Sequence, residues 1–177
     1  MENIVHLVSM ANALLAWAVV YWLIRPALVR AGPTTHLAAL TAPHLFRYLG
    51  LVALVPALFD MRPLGFGETY HAIVGYGDWI SGLLALATIV LIKAQSRHVV
   101  AAATAFNLVG LADFAHAGLQ LAPKITDPSI IGDLGWILFT VYLPMLMVSH
   151  IAALWLLWGP VAERWSNTRN ADGNTST

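Results

Sequence analysis

The chain has 177 residues, of which 59% are hydrophobic and only 10% are charged. This excess of apolar side chains is untypical of a soluble globular domain and indicates an integral membrane protein. Nine basic and nine acidic residues balance to a net charge of zero, which argues against a nucleic-acid partner. The absence of cysteine excludes disulfides, thiolate catalysis, iron–sulfur clusters and covalently attached c-type haem.

Five apolar runs are long enough to cross a bilayer as α-helices, which takes about 20 residues each. They predict an all-α membrane bundle of five transmembrane helices at residues 4–29, 36–59, 70–92, 98–121 and 131–158. Together the helices form one domain, residues 1–162. The polar stretch 163–177 is predicted to be a disordered cytoplasmic tail.

The start of the second helix is the least certain boundary. If the helix begins at His36, Pro43 lies inside it as a kink and the apolar run is long enough to span. If it begins after Pro43, the remaining run is at the short limit for crossing a bilayer. We favour the longer version, which carries Arg47 to the middle of the membrane.

The basic residues predict the orientation, because lysine and arginine favour the cytoplasmic side of a membrane. Six fall on one side, namely Arg25, Arg30, Lys93, Arg97, Arg164 and Arg169. Only Arg62 and Lys124 fall on the other. An odd number of helices with this asymmetry places the N-terminus outside and the C-terminus inside. The expected location is the cell membrane, which is the inner membrane if the source is a Gram-negative bacterium. The expected partners are the lipid bilayer and either other membrane subunits or further copies of the chain.

Polar residues form stripes on the third and fourth helices. On the third, His71, Gly75, Asp78 and Gly82 fall within roughly 60° of one another at the 100° step of an α-helix. The fourth helix carries a further arc, made of Gly110, Asp113, His116, Ala117 and Gln120, with Asn107 beside Gly110. Ionisable groups at membrane depth face the bundle interior and have partners, and glycine allows close approach of helices.

Counting the rise along each helix places the polar groups in two layers. The first layer contains Arg47, Asp78, Asp113 and His116. The second contains His44, Asn107 and His150.

Three hypotheses account for these layers. In the first, Arg47 pairs with Asp78 or Asp113 and the polar groups serve only to pack the bundle. In the second, Arg47, Asp78, Asn107, Asp113 and His116 form a site for a small molecule, a proton or a cation, because ionisable residues inside a membrane are functional candidates.

The third hypothesis is a membrane redox protein in which two histidines from different helices ligate a b-type haem. The candidate haem or metal ligands are His44, His116 and His150. A zinc or iron enzyme is less expected, because Asp113-x-x-His116 alone supplies too few convergent ligands.

The residues that carry a family resemblance lie in the same part of the chain. They are Phe46-Arg47 followed by Pro56, then Gly77-Asp78, then Asn107-x-x-Gly110-x-x-Asp113, and finally Pro144 and His150. This pattern resembles a family of small multi-pass bacterial membrane proteins without an established activity. The resemblance covers roughly residues 44–157 and leaves the first helix and the tail outside. It implies that the polar residues chosen by depth belong to the family's pattern, and it brings no substrate or cofactor.

The sequence therefore predicts an integral membrane protein of unknown activity with a buried polar site between its helices. A binding, transport-related or accessory protein is expected rather than an enzyme.

Overall fold

The structure is a computed structural model that describes residues 2–55, 60–121, 124 and 132–161. Its regular elements within these ranges are all helical, which confirms the all-α prediction for this part of the chain. Five of the described helices are long and apolar enough to cross a membrane. The predicted tail at 163–177 and Pro56 of the family motif lie outside the described residues.

The first helix, α1 (Glu2–Ala31), lies at the periphery of the bundle. Polar side chains connect it to the other helices. Trp17 donates from Nε1 to the Val141 carbonyl at 2.9 Å, and the Tyr21 hydroxyl lies 3.1 Å from His36 Nε2. The Arg25 guanidinium lies 5.0 Å from the centroid of the Trp155 ring. The opposite face presents large exposed apolar side chains such as Trp22. In water such a surface would be unfavourable, so it is suited to lipid.

The second helix begins before His36 and therefore has its longer form. Gly32, at a φ of 95°, turns the chain, and α2 (Pro33–Thr41) starts directly after it. Pro43 lacks a backbone N–H and its ring crowds the preceding turn, so it weakens a regular α-helix at this point. The helix goes on instead as a 3₁₀ helix, Ala42–Leu54, which ends five residues before the predicted position 59.

The 3₁₀ helix determines which side chains face the bundle. With three residues per turn, side chains at i and i+3 lie in a straight row along the helix. His44, Arg47, Gly50 and Ala53 form such a row, and the first two are fully buried. An α-helix of the same sequence would rotate each successive member of this row away from α3.

The third and fourth helices are regular. α3 (Glu68–Lys93) and α4 (Val99–Leu121) correspond to the runs predicted at 70–92 and 98–121. His71 fixes the chain where it enters α3, because its Nε2 accepts from the Met61 N–H at 3.1 Å and its Nδ1 donates to the Gly67 carbonyl at 2.9 Å. The His71 side chain is therefore part of the loop connection.

The fifth helix is irregular around Pro144. It consists of α5 (Gly132–Ile137), a π-helical turn (Leu138–Tyr142), α6 (Leu143–Leu156) and a second π-helical turn (Leu157–Val161). Because Pro144 removes one helical hydrogen bond, the turn before it widens. The Tyr142 hydroxyl on this turn donates to the Pro43 carbonyl at 3.2 Å, so the irregular parts of two helices are bonded to each other.

Two apolar clusters enclose a polar middle section. At one end of the bundle the buried members are Leu37, Leu40, Ile92, Val99, Ala103, Ala152, Ala153, Leu156 and Leu157. At the other end they are Ala53, Met61, Phe66, Tyr70 and Leu121. The 3₁₀ helix, α3, α4 and α6 contribute polar side chains to the space between these clusters.

Candidate functional site

Arg47 is the centre of the polar section. Its fully buried guanidinium donates from Nε to Asp78 Oδ1 at 2.6 Å and from Nη2 to Asp113 Oδ2 at 2.5 Å. A third nitrogen, Nη1, lies 3.4 Å from His150 Nε2, and the ring centroid of Phe114 lies 4.5 Å from Cζ. One side chain on the 3₁₀ helix is thus bonded to α3, α4 and α6. We call Arg47, Asp78 and Asp113 the charged centre.

The charged centre has an unequal number of charges. Arginine stays protonated in proteins, whereas each aspartate carries one negative charge when it is ionised. With both carboxylates ionised, one positive and two negative groups would leave a net charge of −1. An uncompensated charge held away from water is costly, so neutralising it stabilises the protein.

Glycines make room for the charged centre on each of its three helices. A methyl group on Gly50 would overlap the Asp78 side chain, and one on Gly77 would overlap the Asp113 carboxylate. A methyl group on Gly110 would overlap the His150 ring and approach Arg47 Nη1. The close approach of the 3₁₀ helix, α3 and α4 around the ions therefore depends on glycine at these positions.

His150 links the charged centre to Asn107. Because His150 Nε2 faces an N–H of Arg47, it presents a lone pair, and the ring proton is on Nδ1. That N–H donates to Asn107 Oδ1 at 2.8 Å, and Asn107 Nδ2 donates in turn to the Ala103 carbonyl at 2.7 Å. The amide thus fixes the tautomer and the orientation of the imidazole.

His44 lies beside His150 and is bonded to Ser149. The Ser149 hydroxyl donates to the Leu146 carbonyl at 2.9 Å and lies 2.8 Å from His44 Nε2. Both bonds form together only if the hydroxyl accepts from an N–H on Nε2, which leaves His44 Nδ1 as a bare lone pair. The layer predicted from helix depth, with His44, Asn107 and His150, is contiguous in the structure.

His116 lies away from the charged centre, although the sequence placed it in the same layer. It shares a hydrogen bond with Gln120 on its own helix, 3.0 Å from Nε2, and its ring lies 6.2 Å from that of Tyr70. The spacing of Asp113 and His116 puts them on one arc of α4, but the arc is wide enough for the two side chains to have different neighbours.

The two histidines of the second layer do not fit a bis-histidine haem. An iron with an imidazole on each side would hold the rings apart with the porphyrin between them. The rings of His44 and His150 are instead in contact, with centroids 4.1 Å apart. Three of their four nitrogens already have partners among Ser149, Asn107 and Arg47.

A metal centre of three or more ligands is also not formed within residues 2–55, 60–121, 124 and 132–161. No group of three histidine, cysteine, aspartate or glutamate side chains in these ranges could hold a metal ion.

A second arginine–aspartate pair lies outside the five long helices, at the start of a short 3₁₀ helix (Arg62–Leu64), and behaves differently. Arg62 donates from Nε and Nη2 to the two carboxylate oxygens of Asp60, each at 2.8 Å. These side-chain hydrogen bonds lower the pKa of Asp60 to about 2. Here one cation is matched by one carboxylate at an exposed position, so the pair has no excess charge.

Several residues of the site carried no distinctive signal in the sequence. Ser149 and Phe114 are common residue types within apolar runs, and Gly50 lies in a helix whose 3₁₀ geometry the sequence did not predict. The recurrence of His44, Arg47 and Gly50 at intervals of three is the one pattern that could have indicated their common face.

Comparison with known proteins assigns the chain to a family. A family model described as a domain of unknown function, DUF8737, matches residues 4–158. The chain belongs to the DUF8737 family. The matched range includes the first helix, which the motif resemblance had left outside, and contains the whole charged centre. Searches among curated proteins and among solved structures found no match.

Proposed function

We propose that this DUF8737 protein is a proton-linked integral membrane protein whose charged centre binds and releases one proton. The observation that carries the proposal is the single, fully buried guanidinium shared by two partly buried carboxylates. One proton on the carboxylate pair makes the centre neutral, and its release leaves an uncompensated negative charge among apolar clusters.

The bonding of Arg47 favours a proton over an anionic ligand. Asp78, Asp113 and His150 already face its three nitrogens and the side chain is fully buried, so a further anion would need space that the packed centre does not show. A proton needs no additional space and binds directly to an aspartate oxygen. The proposed role is therefore that of a proton-coupled binding, transport or accessory protein.

The membrane topology that we propose has five spans, with the N-terminus outside and the C-terminus in the cytoplasm. Among the described residues, Arg25, Arg30, Lys93 and Arg97 lie towards one end of the bundle, whereas Arg62 and Lys124 lie at the other. The positive-inside rule places the first end in the cytoplasm of a cell membrane.

Proton counting tests the proposed function. Purified protein in lipid nanodiscs is titrated from neutral to alkaline pH without buffer, and proton release is compared among wild type, Asp78→Asn and Asp113→Asn. Either substitution leaves one cation and one carboxylate, so neither variant needs the extra proton. Wild type should release one proton per chain that both variants lack, whereas Asp60→Asn should release as many as wild type.

The same titration separates a proton from a metal cation. Release that is equal in sodium chloride and in N-methylglucamine chloride supports a proton. Equal release by wild type and both variants would overturn the proposal, and would leave the charged centre a packing element.

A further inference from the structure

Two buried polar atoms lie next to the charged centre and have no partner within the described part of the chain. They are Nδ1 of His44, on the 3₁₀ helix, and Oγ of Ser81, on α3. Both residues are fully buried. Buried polar atoms in proteins almost always have a hydrogen-bond partner, so each of these atoms needs one.

The two atoms belong to helices in contact at the same depth. A methyl group on Gly82, the residue after Ser81, would lie 3.6 Å from the His44 carbonyl and 3.7 Å from Arg47 Cβ. Because Ser81 follows Asp78 by three residues on α3, it lies on the buried side of that helix. His44 precedes Arg47 by one turn of the 3₁₀ helix. Ser81 and His44 therefore lie on helices that pack against each other, next to the charged centre.

The hydrogen-bonding capacities of the two atoms are complementary to a water molecule. His44 Nδ1 is an acceptor, since the ring proton is on the Nε2 that faces Ser149. The Ser81 hydroxyl can both donate and accept. A water molecule can donate one proton to Nδ1 and complete its second bond with the hydroxyl, and buried waters typically make two to four such bonds.

We infer that His44 Nδ1 and Ser81 Oγ hold a structural water molecule between the 3₁₀ helix and α3. This site does not depend on the proposed proton function, because it follows from unpaired polar atoms and not from the charge of the centre. If the centre does release a proton, the water is a donor and acceptor beside His44, which lies one helical turn before Arg47.

The surroundings of His44 favour a neutral imidazole that accepts from water over an imidazolium. The cation Arg47 lies one turn away on the same helix, and α6 presents the neutral His150 and Ser149. On α4 the facing side chains are Phe106 and Asn107, whereas the carboxylates Asp78 and Asp113 are already bonded to Arg47. A second positive charge in this layer would have no free counter-ion among these neighbours.

Solid-state NMR of ¹⁵N-histidine-labelled protein in lipid bilayers tests the inference. The expected result for wild type is a His44 Nδ1 resonance shifted towards that of a hydrogen-bonded acceptor, with magnetisation transfer from water protons. A resonance typical of a free lone pair, without transfer from water, would overturn the inference in the unmodified protein.

Two variants locate the second partner of the water. Ser81→Ala should reduce the water transfer to His44 Nδ1 several-fold and leave the His150 resonances unchanged. Thr88→Ala is the matched control, since Thr88 is a fully buried hydroxyl on the same helix that donates to its own Leu84 carbonyl at 2.8 Å. Undiminished transfer in Ser81→Ala would show that the proposed two-point site is wrong.

Discussion

The backbone of Gly77 on α3 lies directly against the carboxylate of Asp113 on α4, with no room for a methyl group between them. The ion pair between Asp113 and Arg47 therefore depends on a residue that bears no charge itself. Because Gly77 and Asp78 are adjacent, one short stretch of α3 provides both a carboxylate for Arg47 and the space for the other carboxylate.

Gly77→Ala should destabilise the protein by about 1–3 kcal/mol, the usual cost of overpacking a well-packed interior. Thermal unfolding in a fixed detergent measures the effect. Gly118→Ala is the control, because Gly118 lies on α4 with no neighbouring atom within 4 Å of the added methyl group. Equal unfolding temperatures for the two variants would show that α3 and α4 are not packed as described.

Arg47→Met should destabilise the protein by about 3–5 kcal/mol, because it leaves two partly buried carboxylates without their cation. Adding Asp78→Asn and Asp113→Asn to Arg47→Met should restore part of the loss, since the triple variant has no buried charge in the centre. Arg62→Met, which removes an exposed arginine, should have little effect. A triple variant less stable than Arg47→Met would contradict the charge argument.

Asn107→Leu should cost about 1–3 kcal/mol, because the Nδ1–H of His150 loses its acceptor in a buried position. Gln120→Leu is the comparison, since this exposed amide on the same helix is bonded to His116. Chemical unfolding in detergent measures both variants. If Gln120→Leu were the more damaging change, the buried His150–Asn107 bond would not contribute as described.

The Asp60–Arg62 pair predicts a separate pH dependence. The folded protein holds the pKa of Asp60 at about 2, below the ordinary 3.8. The ion pair therefore stabilises the folded protein at pH values above 3.8. This contribution is lost as the pH falls through about 2. Carboxyl-carbon NMR should show Asp60 titrating at this low pH, and Arg62→Gln should return it towards 3.8. An unchanged titration in Arg62→Gln would show that the pair does not form in solution.

Hydrophobic run length was sufficient to predict the five long apolar helices found in the described part of the chain, because a span needs a long apolar segment whatever its partners are. Depth along those helices was also sufficient to predict that Arg47, Asp78 and Asp113 come together, since a buried arginine requires a counter-ion. The same count of depth placed His44 and His150 in one layer, and their rings are in contact.

The details that depend on tertiary packing could not be read from one sequence. Pro43 indicated a kink, but a 3₁₀ helix as long as Ala42–Leu54 is uncommon and no local signal specifies it. His116 was assigned to the wrong neighbours because residues on one helical arc can still face different helices. The roles of Gly50 and Gly77 depend on which carboxylate packs against each, which only the structure shows.

The most direct test of the charged centre is infrared spectroscopy of its carboxyl groups in lipid at neutral pH. A protonated carboxyl group has a carbonyl stretching band that shifts in D₂O and is well separated from that of ionised carboxylates. One such band is expected in wild type and should be lost in both Asp78→Asn and Asp113→Asn, because either substitution makes the centre neutral without a proton. Absence of the band in wild type, or its persistence in both variants, would contradict a proton-carrying centre.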